Sequence, residues 1–138
     1  MAKHILTVDD EAGIRRLVQL NLQRVGYRVS SAQDGVEGLR MMEADPPDVV
    51  ILDITMPNMD GIEMLRRLRS DPARKHVRVI MLTARSRDQD VFESERSGAD
   101  FYLTKPFSPQ GLLNAVDEVL RAGERREEAT ECAPEPVG

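Results

Sequence analysis

A chain of 138 residues with 41% hydrophobic content can bury one sizeable core and is short for two typical domains, so a single domain is expected. A formal net charge of -5 without clustered Lys and Arg argues against a general nucleic-acid binder, whose phosphate contacts need a basic face. The single cysteine, Cys132, excludes a disulfide framework or cysteine metal pair within the chain, and the apolar run ending at Val8 is too short for a signal-peptide core or a membrane span. A reducing, cytoplasmic setting without membrane attachment is expected.

Along the chain, short β-branched runs alternate with longer helical patterns, which is the mark of a parallel sheet with helices on its faces. Strands are predicted over 5–8, 27–31, 49–52, 77–82 and 101–104. After the first of these, Ile14, Leu17, Val18, Leu22 and Val25 recur at helical spacing, and Gly26 is placed to close the helix. Asp34 with Glu37, and Asp60 with Glu63, have the spacing of capping boxes and open the second and third helices. A fourth helix is predicted over 88–97, where Val91 and Phe92 are the large apolar residues; so little apolar surface predicts a mobile element. Ser108 before Pro109 sets an N-cap and a first helical residue, and Leu112, Val116, Val119 and Leu120 carry the last helix to near Gly123. From 124 to 138 almost no large apolar side chain remains, so a domain over 1–123 followed by a disordered polar tail is expected.

In an open parallel α/β sheet, ligands gather at the carboxyl ends of the strands, near the point where strand order reverses. The predicted strands end in Asp9 and Asp10, in Asp53, in Thr83 and in Lys105. Taken singly each has a plain explanation. Asp9 or Asp10 reads as a helix N-cap, Asp53 as a strand-end turn residue, Thr83 as strand composition, Lys105 as a solvated charge, and Tyr102 as a half-buried strand aromatic. Their joint arrival at strand carboxyl ends is what singles them out. Clustered carboxylates call for a cation or for protonation of one of them, and oxygen-only ligands suit Mg²⁺. An ammonium and a hydroxyl suit phosphoryl oxygens, and a carboxylate can be the phosphoryl-accepting nucleophile. The set reads as a phosphoryl-transfer site. Asp60 and Asp100 lack such support and read as structural.

Val8-Asp9-Asp10-Glu11, Leu52-Asp53-Ile54-Thr55-Met56-Pro57-Asn58-Met59-Asp60-Gly61, Thr83-Ala84, Gly98-Ala99-Asp100 and Tyr102-Leu103-Thr104-Lys105-Pro106-Phe107, in this order, resemble the sequence blocks of response-regulator receiver domains. The resemblance implies an α/β fold: a flavodoxin-like, doubly wound sheet of five parallel strands in the order 2-1-3-4-5 with five helices. It implies Asp53 as phosphoacceptor. It also implies Mg²⁺ held by Asp10, Asp53 and the backbone carbonyl of Thr55, with Asp9 acting through water. Thr83 and Lys105 would bind phosphoryl oxygens, and Tyr102 would rotate with Thr83 as the switch. Thr55 and Arg85 occupy the positions that tune phosphoryl lifetime, Arg85 either shielding the phosphoryl group or simply being solvated. The Lys105-Pro106 bond is usually cis in such domains. The implied partners are a sensor histidine kinase or histidine phosphotransfer protein as donor, and an effector protein meeting the face of the predicted fourth helix, fifth strand and last helix. Such a domain is a signalling switch that catalyses only its own phosphorylation and dephosphorylation.

Two other readings compete. Aspartyl-phosphate phosphatases of the haloacid-dehalogenase type also use Asp, Thr or Ser, Lys and Mg²⁺, but carry a second aspartate two residues after the nucleophile, where this sequence has Thr55. The chain could also be the receiver part of a longer DNA-binding regulator, although no helix-turn-helix candidate follows the last helix in this sequence.

Overall fold

Two of the predicted strands are central and buried along their whole length, which is why the run at 49–52 reads as continuous Val, Ile and Leu rather than as alternation. The structure, a computed structural model, describes residues 2–54, 56, 59–83 and 98–132. Its strands are β1 (His4–Val8), β2 (Arg28–Ala32), β3 (Val49–Asp53), β4 (Arg78–Thr83) and β5 (Phe101–Thr104). All pair in parallel, in the order β2-β1-β3-β4-β5. Strand order therefore reverses between β1 and β3, whose register sets Val8 beside Leu52 and brings Asp9 and Asp53 to neighbouring strand ends. Four helices are described: α1 (Ala12–Arg24), α2 (Gly35–Ala44), α3 (Gly61–Ser70) and α4 (Pro109–Cys132). The helix expected over 88–97 lies outside the described residues.

The sheet has a core on each face. Leu6, Val8, Val50, Leu52, Val79 and Met81 pack with Met42 of α2 and with Met64, Leu65 and Leu68 of α3. The alternate strand residues Ile5, Val49, Ile51, Ile80 and Leu82 pack with Val18 and Leu22 of α1 and with Leu112, Val116 and Val119 of α4. Each such fully buried side chain contributes about 1.5–3 kcal/mol of transfer free energy. Two layers of helix thus hold the strand carboxyl ends in a fixed row.

Local chemistry sets the helix ends. Asp34 and Asp60 each accept the N–H three residues on, from Glu37 and Glu63, at 2.8 Å. The returning contact of the first box is displaced by one residue, Glu37 accepting from the Gln33 N–H at 3.0 Å. Gly26, at φ 101°, ends α1: its N–H donates to Gln23 and that of Tyr27 to Leu22, a paired closure that needs the left-handed conformation glycine tolerates. Ser108 Oγ accepts the Gly111 N–H at 2.9 Å and opens α4. Asp100, read as structural, pairs with Arg69 at 2.9 Å and accepts the Val79 N–H at 2.8 Å.

One expectation is displaced. The last helix does not stop near Gly123 but continues as backbone helix to Cys132, so the expected disordered tail begins inside it. Glu, Arg and Ala are strong helix formers, and a helix already nucleated gains a hydrogen bond with each added residue. Residues 133–138 lie outside the described residues.

Candidate functional site at the carboxyl edge of the sheet

β1 ends one residue before Asp9, whose N–H still bonds to the Ala32 carbonyl at 3.1 Å and so continues the pairing with β2. The Asp9 side chain is completely buried. Its Oδ1 accepts the Glu11 N–H at 2.9 Å, which folds the turn into α1, and its carbonyl accepts from Arg15 Nη1 at 2.6 Å. Asp10, next along this turn, is exposed. Asp53 is the last residue of β3 and only 5% exposed. Beyond it, the Ile54 N–H bonds to the Leu82 carbonyl at 3.0 Å and its carbonyl accepts the Gly61 N–H at 2.8 Å, so α3 starts directly against the acidic residue. A Cβ at position 61 would lie 2.2 Å from the Asp53 carbonyl oxygen, which leaves room there for glycine alone.

Thr83 ends β4, is buried, and accepts the Lys105 N–H on its carbonyl at 2.7 Å. The Lys105-Pro106 bond is cis, as the resemblance implied. Lys105 Nζ lies 3.0 Å from Asp9 Oδ2, 3.4 Å from Asp53 Oδ2 and 3.4 Å from Glu11 Oε1. Burial pulls the Lys105 pKa down, but the hydrogen bond to Asp9 and the charges of Asp53, Asp9 and Glu11 outweigh it and hold the ammonium above the ordinary lysine value. Carboxylate oxygens of Asp9, Asp10, Glu11 and Asp53 lie within 4.8 Å of one another. Among the described residues, four carboxylates thus face one ammonium. The donors are all hard oxygens and two of the carboxylates are buried, which fits a divalent cation of the Mg²⁺ type.

Asp9, Asp10, Asp53 and Lys105 are therefore gathered as expected, with Thr83 at the adjoining strand end. Tyr102 pairs with Met81 in the β4–β5 register and packs, half-buried, against the core beneath α2 and α3. Thr55 and Arg85 lie outside the described residues. The sequence reading missed Glu11 and Arg15. Glu11 had a signal, being the third acid of a run that follows a strand; Arg15 had none beyond its place one turn into the helix.

The chain matches the response regulator receiver domain over residues 5–117. It is 43% identical over 124 residues to the alkaline phosphatase synthesis transcriptional regulatory protein PhoP of Bacillus subtilis, covering 90% of this chain and 51% of that protein. It is 40% identical over 121 residues to the DNA-binding dual master transcriptional regulator RpaA of Synechocystis, covering 88% of this chain and 50% of that protein. The chain thus spans about half the length of these relatives. Among solved structures, the chemotaxis protein CheY4 of Vibrio cholerae superposes with a TM-score of 0.83 at 35% identity, over 86% of this chain and 99% of that one. NtrX of Brucella abortus superposes with a TM-score of 0.89 at 27% identity, over 96% of this chain and 30% of that one.

Proposed function

The chain belongs to the response regulator receiver domain family of two-component signalling, and from that premise we propose that it is a phosphorylation-driven switch with Asp53 as its phosphoacceptor. The observation that carries this is the Lys105 ammonium set 3.0 Å from Asp9 and 3.4 Å from Asp53, within a cluster of carboxylates at the strand-order reversal. An Asp53 carboxylate oxygen forms the new O–P bond as the donor's bond to phosphorus breaks. Lys105 and the Thr83 hydroxyl receive the phosphoryl oxygens, whose added charge is what the ammonium is placed to meet. Mg²⁺, when bound, neutralises charge on the transferring phosphoryl group. Asp10 and Asp53 would hold it, with Asp9 through water and the Thr55 carbonyl. Thr55 and Arg85 tune the lifetime of the phosphorylated form.

Receiver domains interact with histidine kinases; the donor here is a sensor histidine kinase or a histidine phosphotransfer protein. Once Thr83 turns to the phosphoryl group, Tyr102 on the adjacent strand rotates into the space it leaves. That rotation alters the output face that the resemblance assigns to the predicted fourth helix, β5 and the last helix, where an effector protein docks without direct contact to nucleic acid. The receiver unit occupies 1–123: the family match ends at 117, and Val119 and Gly123 are still buried. It transfers phosphate to and from itself and turns over no separate substrate. No helix among the described residues is long and apolar enough to cross a membrane, and the chain works in the cytoplasm. A second reading has the receiver governing transcription as part of a longer regulator. It is favoured by the half-length match to two transcriptional regulators, one of them DNA-binding.

The test is incubation with a small acyl phosphate and Mg²⁺, then mass spectrometry after borohydride trapping. The adduct is expected on Asp53 and lost in Asp53→Asn; equal labelling of that variant would overturn the assignment. A generic phosphomonoester should not be turned over at an enzyme-like rate.

A further inference from the structure

Position 11 opens α1, where a short polar side chain would accept an early helix N–H, yet the Glu11 side chain caps nothing. Its carboxylate reaches across 94 positions of sequence to Lys105, with Oε1 3.4 Å from Nζ. Lys105 therefore has acidic neighbours of two kinds. The side chains of Asp9 and Asp53 are buried, at 0% and 7% exposure, whereas that of Glu11 is 62% exposed and lies on the solvent side.

A divalent cation entering the cluster competes with the ammonium for the buried carboxylates, and the two cations repel each other. Lys105, whose side chain is only 12% exposed, then needs another counter-charge close by. Glu11 supplies one on a long side chain, while its backbone is held by the 2.9 Å bond from its N–H to Asp9 Oδ1.

We propose that Glu11 is a positioning residue of this site: it holds the Lys105 ammonium at the solvent edge, so that the carboxylates of Asp9 and Asp53 are freed for a divalent cation. The inference rests on reading the carboxyl edge as a metal- and phosphoryl-binding site. It is distinct from a role for Glu11 as a metal ligand.

The test is calorimetric titration of the full chain with Mg²⁺ in the native protein, Glu11→Asp, Lys105→Gln and the double variant. Glu11→Asp keeps the charge, suits the N-cap position of α1 and shortens the reach to Lys105. It is expected to weaken Mg²⁺ binding by about two- to fivefold in the native background. In the Lys105→Gln background it should have no effect, because Glu11 then has nothing to act through. Unchanged affinity in Glu11→Asp overturns the proposal. So does a loss of equal size in both backgrounds, which would make Glu11 a ligand. Asp10→Asn separates this from the wider reading: if it binds Mg²⁺ like the native protein, the metal site itself is misassigned, whereas if only it loses binding, the site stands and Glu11 has no part in it.

Discussion

The two edges of the sheet treat buried charge in opposite ways. At the carboxyl edge, among the described residues, four clustered carboxylates share one ammonium. At the amino edge, polar groups are matched. His4 is buried, with Nε2 2.7 Å from Ser30 Oγ, and its backbone N–H donates to Asp48 at 2.8 Å. Arg69 donates to the carbonyls of Lys75, Val77 and Gly98 and pairs with Asp100. One edge is balanced by its own residues; among the described residues, the other keeps an excess of negative charge that a divalent cation can use. Polar residues at the first edge should therefore act on stability alone, and those at the second on stability and ligand binding together.

Gly61→Ala is the strongest way to break this contrast, because it acts on the carboxyl edge by sterics rather than charge. Its new methyl meets the Asp53 backbone, which cannot yield like a flexible side chain. A loss of about 3 kcal/mol in denaturant unfolding is expected, together with weakened Mg²⁺ binding as Asp53 shifts. Arg69→Met should cost about 2 kcal/mol by leaving the partly buried Asp100 and a set of carbonyls short of their donor, while Mg²⁺ affinity stays native. A change in Mg²⁺ affinity there would dissolve the distinction between the edges.

Asp10→Asn should move in the other direction. Without metal it relieves carboxylate repulsion and gains up to ~1 kcal/mol, but Mg²⁺ should no longer raise its melting temperature. A native-sized Mg²⁺ shift would remove Asp10 from the metal's holders. The smallest effect belongs to the exposed Arg28–Asp45 pair at the amino edge. The hydrogen bond from Arg28 holds the Asp45 carboxyl below its ordinary value. Its contribution is therefore present above the ordinary carboxyl pKa and fades as pH falls through the lower folded one. In an NMR titration of Arg28→Ala, Asp45 should return toward the ordinary value, with little change in stability.

Much of the fold was legible because burial writes itself into the sequence. The run at 49–52 is apolar throughout since both faces of β3 are covered, and Asp34, Asp60, Ser108 and Gly26 marked helix ends because each supplies a bond or a conformation that the end requires. Asp9, Asp53 and Lys105 could be found as polar residues that abruptly end apolar strands. Glu11 could not, since an exposed acid at a helix start is commonplace and its partner is 94 positions away. The end of α4 was misjudged for a related reason: apolar periodicity tracks burial, whereas helix continuation past Gly123 needs only propensity and an existing helix to extend.

That continuation has a mechanical consequence. The nine residues from 124 to 132 add about 13 Å of backbone helix to α4 after Gly123. α4 packs on the sheet face that carries Leu82, one residue before Thr83, and its Gly123 lies beside Arg78 at the opposite end of the same strand. A tilt of about 10° at Gly123 would sweep the far end through roughly 2 Å. A displacement too slight to disturb the packing of Leu112 or Val116 would thereby be magnified at Cys132, and a spin label or fluorophore on that single thiol would report it.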